Sequence, residues 1–301
     1  MARGKYVNPF TDFGFKKLFG SEPNKDLLID FLNQLLPQQH KIQDLTYAPS
    51  EALGDTRYDR GAVFDLYCVS PSGEHFIVEM QKAKQIYFKD RSLFYATWPI
   101  REQAPRGEDP WNYQLSAVYL IGILDFVMDD DQTNTEACHY VQLKDQANRV
   151  FYDKLLLIYL EMPKFQKTEE QLVTTYDKWL YLLKHLPRLT ERPAKLQERV
   201  FSKVLEVAEV SNFTREELGE YENSLKHYRD SINVIETAII EGETRGLAQG
   251  LAQGKASEKM DTARRLLADG LPLEVVMKYT ELSEAEVAAL QKELPAENKN
   301  D

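Results

Sequence analysis

Apolar positions recur at helical spacing in NKDLLIDFLNQLL (24–36), where Leu27, Leu28, Phe31, Leu32 and Leu35 share one side. With Asn24 as cap and Pro23 before it, the segment predicts an amphipathic helix. Two short runs then follow the period of a strand, GAVFDLYCV (61–69) and HFIVEMQ (75–81). The link between them, SPSGE, has the turn-forming composition and length that join antiparallel strands, so a hairpin is expected. Helical spacing returns from Lys84 to Gln103 through Ile86, Phe88, Leu93, Phe94 and Ala96, with Pro99 disturbing the last turns. LSAVYLIGILDFV (115–127) is almost continuously apolar, as a strand buried on both faces must be. Further strands are expected at 137–144 and 154–161, then long helices near 168–186, 193–210 and 214–240, interrupted by Pro187 and Pro193. This order predicts an α/β or α+β fold, a sheet covered by helices.

The last sixty residues have another texture. Gly246, Gly250 and Gly254 lie four apart, a helix follows at 257–269, and two short helices with Ser283 as a cap fill 271–290. A boundary is drawn near residue 241, giving a domain over 1–240 and a helical appendage over 241–301. The glycines fit either a stripe against which another helix packs or a flexible hinge. The appendage sets Arg264, Arg265 and Lys278 against Glu274, Glu281, Glu284 and Glu286. That mixture favours self-association over a major-groove helix, and a homo-oligomer built through these C-terminal helices is expected.

Charge and composition narrow the function classes. The 301 residues carry 37 basic and 48 acidic side chains, a net charge of −11, which argues against a surface coated by nucleic acid throughout. One segment inverts the sign: Lys82, Lys84, Lys89, Arg91, Arg101 and Arg106 face only Asp90 and Glu102 between 82 and 106. The apolar runs at 117–124 and 155–160 fall far short of the roughly 20 residues that cross a bilayer, so no membrane partner is expected. The N-terminal segment lacks an apolar signal core, and Cys68 and Cys138 are too few for a disulfide scaffold, so a cytoplasmic location is expected. GLAQGLAQGKAS fails as a phosphate loop, because Gln249 and Ala256 stand where Gly and Ser or Thr are needed.

The candidate chemistry lies in the hairpin. Asp65 interrupts one apolar strand, and Glu79 and Gln81 interrupt the next, projecting to one face with Met80 opposite. Carboxylates on paired strands repel each other and resist desolvation unless a cation lies between them, and Mg²⁺ or a similar hard ion suits oxygen donors. The same residues are also compatible with solvent exposure or a Lys or Arg partner. Lys84, Lys89 and Arg91 fit phosphate-backbone contacts or a charged outer helix face. Asp12 fits a third acidic group or, better, an N-cap for the helix through Phe15 and Leu18, and Glu51 is a weaker version of the same idea. Tyr95, Trp98, Trp111 and Tyr119 are expected in the core more than as base-stacking platforms.

Asp65, a turn, Glu79-Met80-Gln81 and a basic helix with Arg91 and Tyr95 resemble the PD-(D/E)XK nuclease superfamily, in its transposase-like branch, the recombination-promoting nuclease family. NPFTDFGFKKLFG (8–20), DRSLFYATWPIREQ (90–103), WNYQLSAVYLIGILDF (111–126) and LEMPKF (160–165) resemble its recurrent segments in order, across about 8–240. The resemblance implies a restriction-endonuclease-like mixed sheet flanked by helices. It also implies a DNA endonuclease in which Asp65 and Glu79 hold Mg²⁺ or Mn²⁺, linked to recombination, mobile elements or defence. The third position of that superfamily is usually Lys; here it is Gln81, which can orient a water but not take its proton. Lys82 or Lys84 could replace the missing cation, with Lys84 better placed because Lys82 should point to the opposite face. The rival expectation is a catalytically weak DNA-binding or oligomerisation module that retains the fold.

Overall fold

The computed structural model describes residues 4–37, 40–52, 62–105, 111–128 and 134–293. The chain divides into two compact units, Met1–Ile232 and Asn233–Asp301. In the first, helices α1 (Asp12–Phe19) and α2 (Lys25–Leu35) precede short strands β1 (Thr46–Tyr47), β2 (Glu51–Ala52) and β3 (Ala62–Val63). Strands β4 (Leu66–Val69) and β5 (His75–Gln81), helix α3 (Phe88–Glu102), and strands β6 (Val118–Leu124), β7 (Cys138–Lys144) and β8 (Val150–Glu161) follow. Helices α4 (Thr175–His185) and α5 (Arg199–Ala208) come next, then α6 (Arg215–Ala268), which begins in the first unit and ends in the second, followed by α7 (Leu273–Thr280) and α8 (Glu284–Glu293).

Six strands form one mixed sheet in the order β1-β4-β5-β6-β8-β7, and β2 pairs with β3 in a two-stranded ribbon. The three central strands, β5, β6 and β8, are parallel, and antiparallel pairs flank them. This is the mixed α/β sheet core flanked by helices that the resemblance implies. Alternation along β5 sends Phe76, Val78 and Met80 into a core with α1, α2, α4 and α5, whose centre holds Phe15, Phe31, Trp179 and Phe201. Ile77 points to the other face, into a smaller core with Phe88, Ala96 and Trp98 of α3. Every residue of β6 is buried, as its unbroken apolar run requires. Gly73, at φ +85°, turns the chain between β4 and β5, the conformation that glycine adopts without a Cβ penalty.

Several expectations are corrected in detail. The single strand expected over 61–69 is interrupted at Phe64-Asp65, because β3 turns aside to pair with β2. The caps also differ: Thr11 caps α1 by accepting from Gly14 N, so Asp12 is the first helical residue. Asn24 stands at the N-cap of α2 but makes no side-chain cap bond, its Nδ2 donating instead to Lys17 O. The helix expected over 168–186 shortens to α4 after a single turn at Glu169–Gln171, and that over 193–210 shortens to α5. The helices expected separately at 214–240 and 257–269 are one 54-residue helix, α6, which runs unbroken through the glycines. Each glycine weakens a helix by about 1 kcal/mol, and the strong helix formers Leu, Ala and Gln between them offset that cost. No atom lies within 4 Å of where a Cβ would sit on Gly246, Gly250 or Gly254, so the stripe lies open. Arg106 lies outside the described residues.

Candidate active site

The site forms where the antiparallel ladder between β4 and β5 ends. Leu66 pairs with Val78, so the next residues outward, Asp65 and Glu79, stand opposite each other. There β3 has left for β2, Phe64 N bonding Ser50 O at 2.8 Å, and the main-chain ladder stops. Side chains take over its unpaired donors. Met80 N donates to Asp65 Oδ2 at 2.6 Å, and Asp65 N donates to Glu79 Oε1 at 3.2 Å. Gln81 Nε2 donates to Glu79 Oε2 at 3.1 Å, which draws the third predicted residue into the same cluster. Asp65, Glu79 and Gln81 are thus brought together on the α3 face of the sheet.

The same row continues across the sheet as Glu79, Gly122 and Tyr159. A Cβ on Gly122 would meet Tyr159 Cδ1 at 2.9 Å and Phe88 Cζ at 3.4 Å, so glycine is what lets α3 sit down here. Ser92 Oγ and Tyr159 OH, 2.6 Å apart, fix that contact. With Phe88, Ser92 and Ala96 buried along one side of α3, Arg91 and Tyr95 fall beside that line, toward the carboxylates. The Arg91 guanidinium lies 5.7 Å from the Phe88 ring centre and 5.6 Å from that of Tyr95, and its Nη1 donates to Gln85 Oε1 at 2.7 Å.

Burial governs the electrostatics. Glu79 is 4% exposed, and burial together with the Asp65 charge pushes its carboxyl up to about 8. The Asp65 N–H, the Arg91 charge and the Gln81 amide work against that rise without cancelling it. Asp65 is raised as well, by burial first and then by the Asp12 charge, while the Met80 N–H, Lys16 and Arg91 oppose the shift. Burial and the Glu79 charge raise Tyr95 too. A carboxylate pair so placed is an acceptor-only cluster that a divalent cation would neutralise. Among the described residues no third His, Cys, Asp or Glu joins them to form a cluster suited to a metal. Two side-chain oxygens suffice for Mg²⁺, which is commonly held by one or two carboxylates together with substrate phosphate and water.

The other candidates separate. Lys82 points to the opposite face, as alternation predicts, with its Nζ 5.7 Å from the Tyr228 ring centre. Lys84 lies exposed beyond the strand and Lys89 exposed on α3. Asp12 pairs with Lys16 at 2.9 Å, and Glu51 is exposed on β2. Trp98 and Tyr119 are core residues, whereas Tyr95 packs edge-on against Phe64 at 5.3 Å beside the carboxylates. Sequence reasoning missed Gln85 and Phe88 as supports of Arg91, and Gly122 as the seat of α3. An isolated glycine inside the run VYLIGIL was the available signal for that close approach.

A family model described as PD-(D/E)XK nuclease family transposase matches residues 9–238. The chain belongs to this family. Residues 257–292 match a second model, the Rpn/YhgA-like nuclease family, C-terminal HTH domain, and cover the end of α6 with α7 and α8. No curated protein and no solved structure matches the chain. The membership agrees with the mixed sheet flanked by helices. The helix-turn-helix match favours DNA as the partner of a tail whose mixed charge had favoured self-association. No helix among the described residues is long and apolar enough to cross a membrane.

Proposed function

We propose that this chain is a metal-dependent DNA endonuclease that hydrolyses phosphodiester bonds. The observation that carries the reading is the opposition of two buried carboxylates, Asp65 and Glu79, at the end of a ladder whose free donors they take up. In this reading Asp65 and Glu79 hold Mg²⁺ or Mn²⁺, and Lys84, Lys89 and Arg91 contact the phosphate backbone. When bound, such an ion polarises a phosphoryl oxygen and lowers the pKa of water. Gln81 has a carboxamide fixed by its bond to Glu79, so it can orient a water through its oxygen while remaining neutral. The helix-turn-helix match supports a second DNA contact, made by the C-terminal unit. Ile239, Ile240, Leu247 and Leu251, all exposed on α6, support the further proposal that copies of the chain associate there, with residues 1–240 separable as the nuclease domain. The setting proposed is DNA breakage in recombination, mobile elements or defence, in the cytoplasm.

Gln81 favours one rival, a weak or inactive nuclease that retains the fold to bind DNA or to associate with copies of itself, since no basic side chain stands at that position. Nicking of supercoiled plasmid separates the two. The nuclease reading expects nicked circles with Mg²⁺ or Mn²⁺ and none with EDTA. Intact plasmid under every metal condition would leave the binding module as the better account.

A further inference from the structure

Arg91 is held from three sides and left with one donor unused. The rings of Phe88 and Tyr95, one turn before and after it on α3, flank its guanidinium, and Gln85 takes Nη1. Its Nη2 is buried and has no hydrogen-bond partner among the described residues. A buried donor without a partner is costly to a fold until an acceptor reaches it. The neighbouring carboxylates do not supply the missing acceptor. Asp65 Oδ2 takes the Met80 N–H, while the two Glu79 oxygens take the Asp65 N–H and the Gln81 amide. Arg91 nevertheless acts on both acids through its charge, lowering each against the rise that burial causes.

An anion brought to those carboxylates would therefore meet a donor already desolvated and already oriented. Lys84 and Lys89 differ, because they are solvent-exposed ammonium groups that meet phosphate as hydrated point charges. We propose that Arg91 is a catalytic residue that bonds a non-bridging oxygen of the scissile phosphate through Nη2. The proposal rests on the nuclease reading and assigns Arg91 to the phosphate that reacts rather than to those flanking it. In the reaction a water oxygen forms the new bond to phosphorus as the bond to the leaving oxygen breaks. The water proton passes to solvent, and the leaving oxygen takes one from solvent. Charge grows on the non-bridging oxygens as this happens, where a fixed guanidinium stabilises it without reorganisation. Gln81 is neutral and brings no charge to that oxygen.

The test measures two quantities on the full chain with a short fluorescent duplex: affinity by anisotropy in EDTA, and the single-turnover cleavage rate with Mn²⁺ at saturating enzyme. Arg91→Gln should lower the rate by about 100-fold or more while changing affinity by less than about threefold. For Lys84→Gln/Lys89→Gln the larger loss should fall on affinity and on its salt dependence. Arg91→Lys, which keeps the charge but not the planar fork, should fall between wild type and Arg91→Gln, and it decides the matter if Arg91→Gln melts abnormally. Adding Gln81→Lys to Arg91→Gln should recover about tenfold, by returning a cation to the carboxylates. Wild-type rates in Arg91→Gln, or a loss confined to affinity, would overturn the assignment while leaving the nuclease reading intact. A wild-type protein inert with every metal would overturn the nuclease reading and this proposal with it.

Discussion

Two glutamates lie toward the ends of parallel strands of the same sheet and are almost equally hidden from solvent, Glu79 on β5 at 4% exposure and Glu161 on β8 at 2%. Their surroundings drive them in opposite directions. Burial raises both, but Glu161 collects the Lys164 ammonium at 2.6 Å, the Met128 N–H at 2.6 Å and the His139 Nε2 at 3.0 Å. Those donors outweigh burial and hold it below the usual carboxylate range. Glu79 has an amide, one main-chain N–H and a second carboxylate beside it, and it rises to about 8. The lesson is that burial alone marks no site. A buried acid whose needs are met is a structural fastener, whereas one left unmet beside another acid and an unused Arg91 donor is arranged for something that arrives.

The sharpest break in that comparison is catalytic. Asp65→Ala or Glu79→Ala should reduce plasmid nicking by about 1000-fold or more with melting intact, since each would remove a proposed metal ligand while relief of the repulsion between the carboxylates offsets the N–H bond lost. Glu161→Gln should do the reverse, costing about 2 kcal/mol in denaturant unfolding by leaving the half-buried Lys164 without its counter-charge. Nicking per folded molecule should stay near wild type.

Stability against pH sharpens the contrast further. Glu79 binds its proton more tightly folded than unfolded, so the metal-free protein should lose stability as pH rises from about 4.5 to about 8, with Asp65 contributing in the same direction. Glu161 has the opposite sign: its contribution is present above the unfolded value and lost as pH falls through its depressed folded one. Glu79→Gln should therefore flatten the decline toward pH 8 and gain about 2 kcal/mol there, measured by urea unfolding at several pH values. A Glu79→Gln protein less stable than wild type at pH 8 would show that the carboxylate is fully compensated, as Glu161 is. The smallest effect expected is that of Gln81→Ala, about tenfold in single-turnover rate, because the amide proposed to orient water is lost while both carboxylates remain.

The difference between the two glutamates was only partly legible in the sequence. Period-two alternation put Glu79 and Gln81 on one face and Lys82 on the other, and the structure agrees. The register that sets Asp65 against Glu79 depends on where β3 leaves the sheet, which no local pattern encodes. The unused Arg91 donor depends on the packing of α3 over Gly122, a tertiary contact between residues distant in sequence. Asp12 was misread as a cap because both it and Thr11 suit that position and only geometry chooses Thr11. The unbroken course of α6 was hidden by glycines that propensity alone marks as weak points.

Direct metal binding tests the central claim, that Asp65 and Glu79 form the ion site and Glu161 does not. Isothermal titration of Mn²⁺ into the full chain at pH 8, without DNA, should show one site in wild type and in Glu161→Gln, and no saturable site in Asp65→Asn or Glu79→Gln. Undiminished Mn²⁺ binding in Asp65→Asn and Glu79→Gln, or its loss in a folded Glu161→Gln protein, would contradict the account.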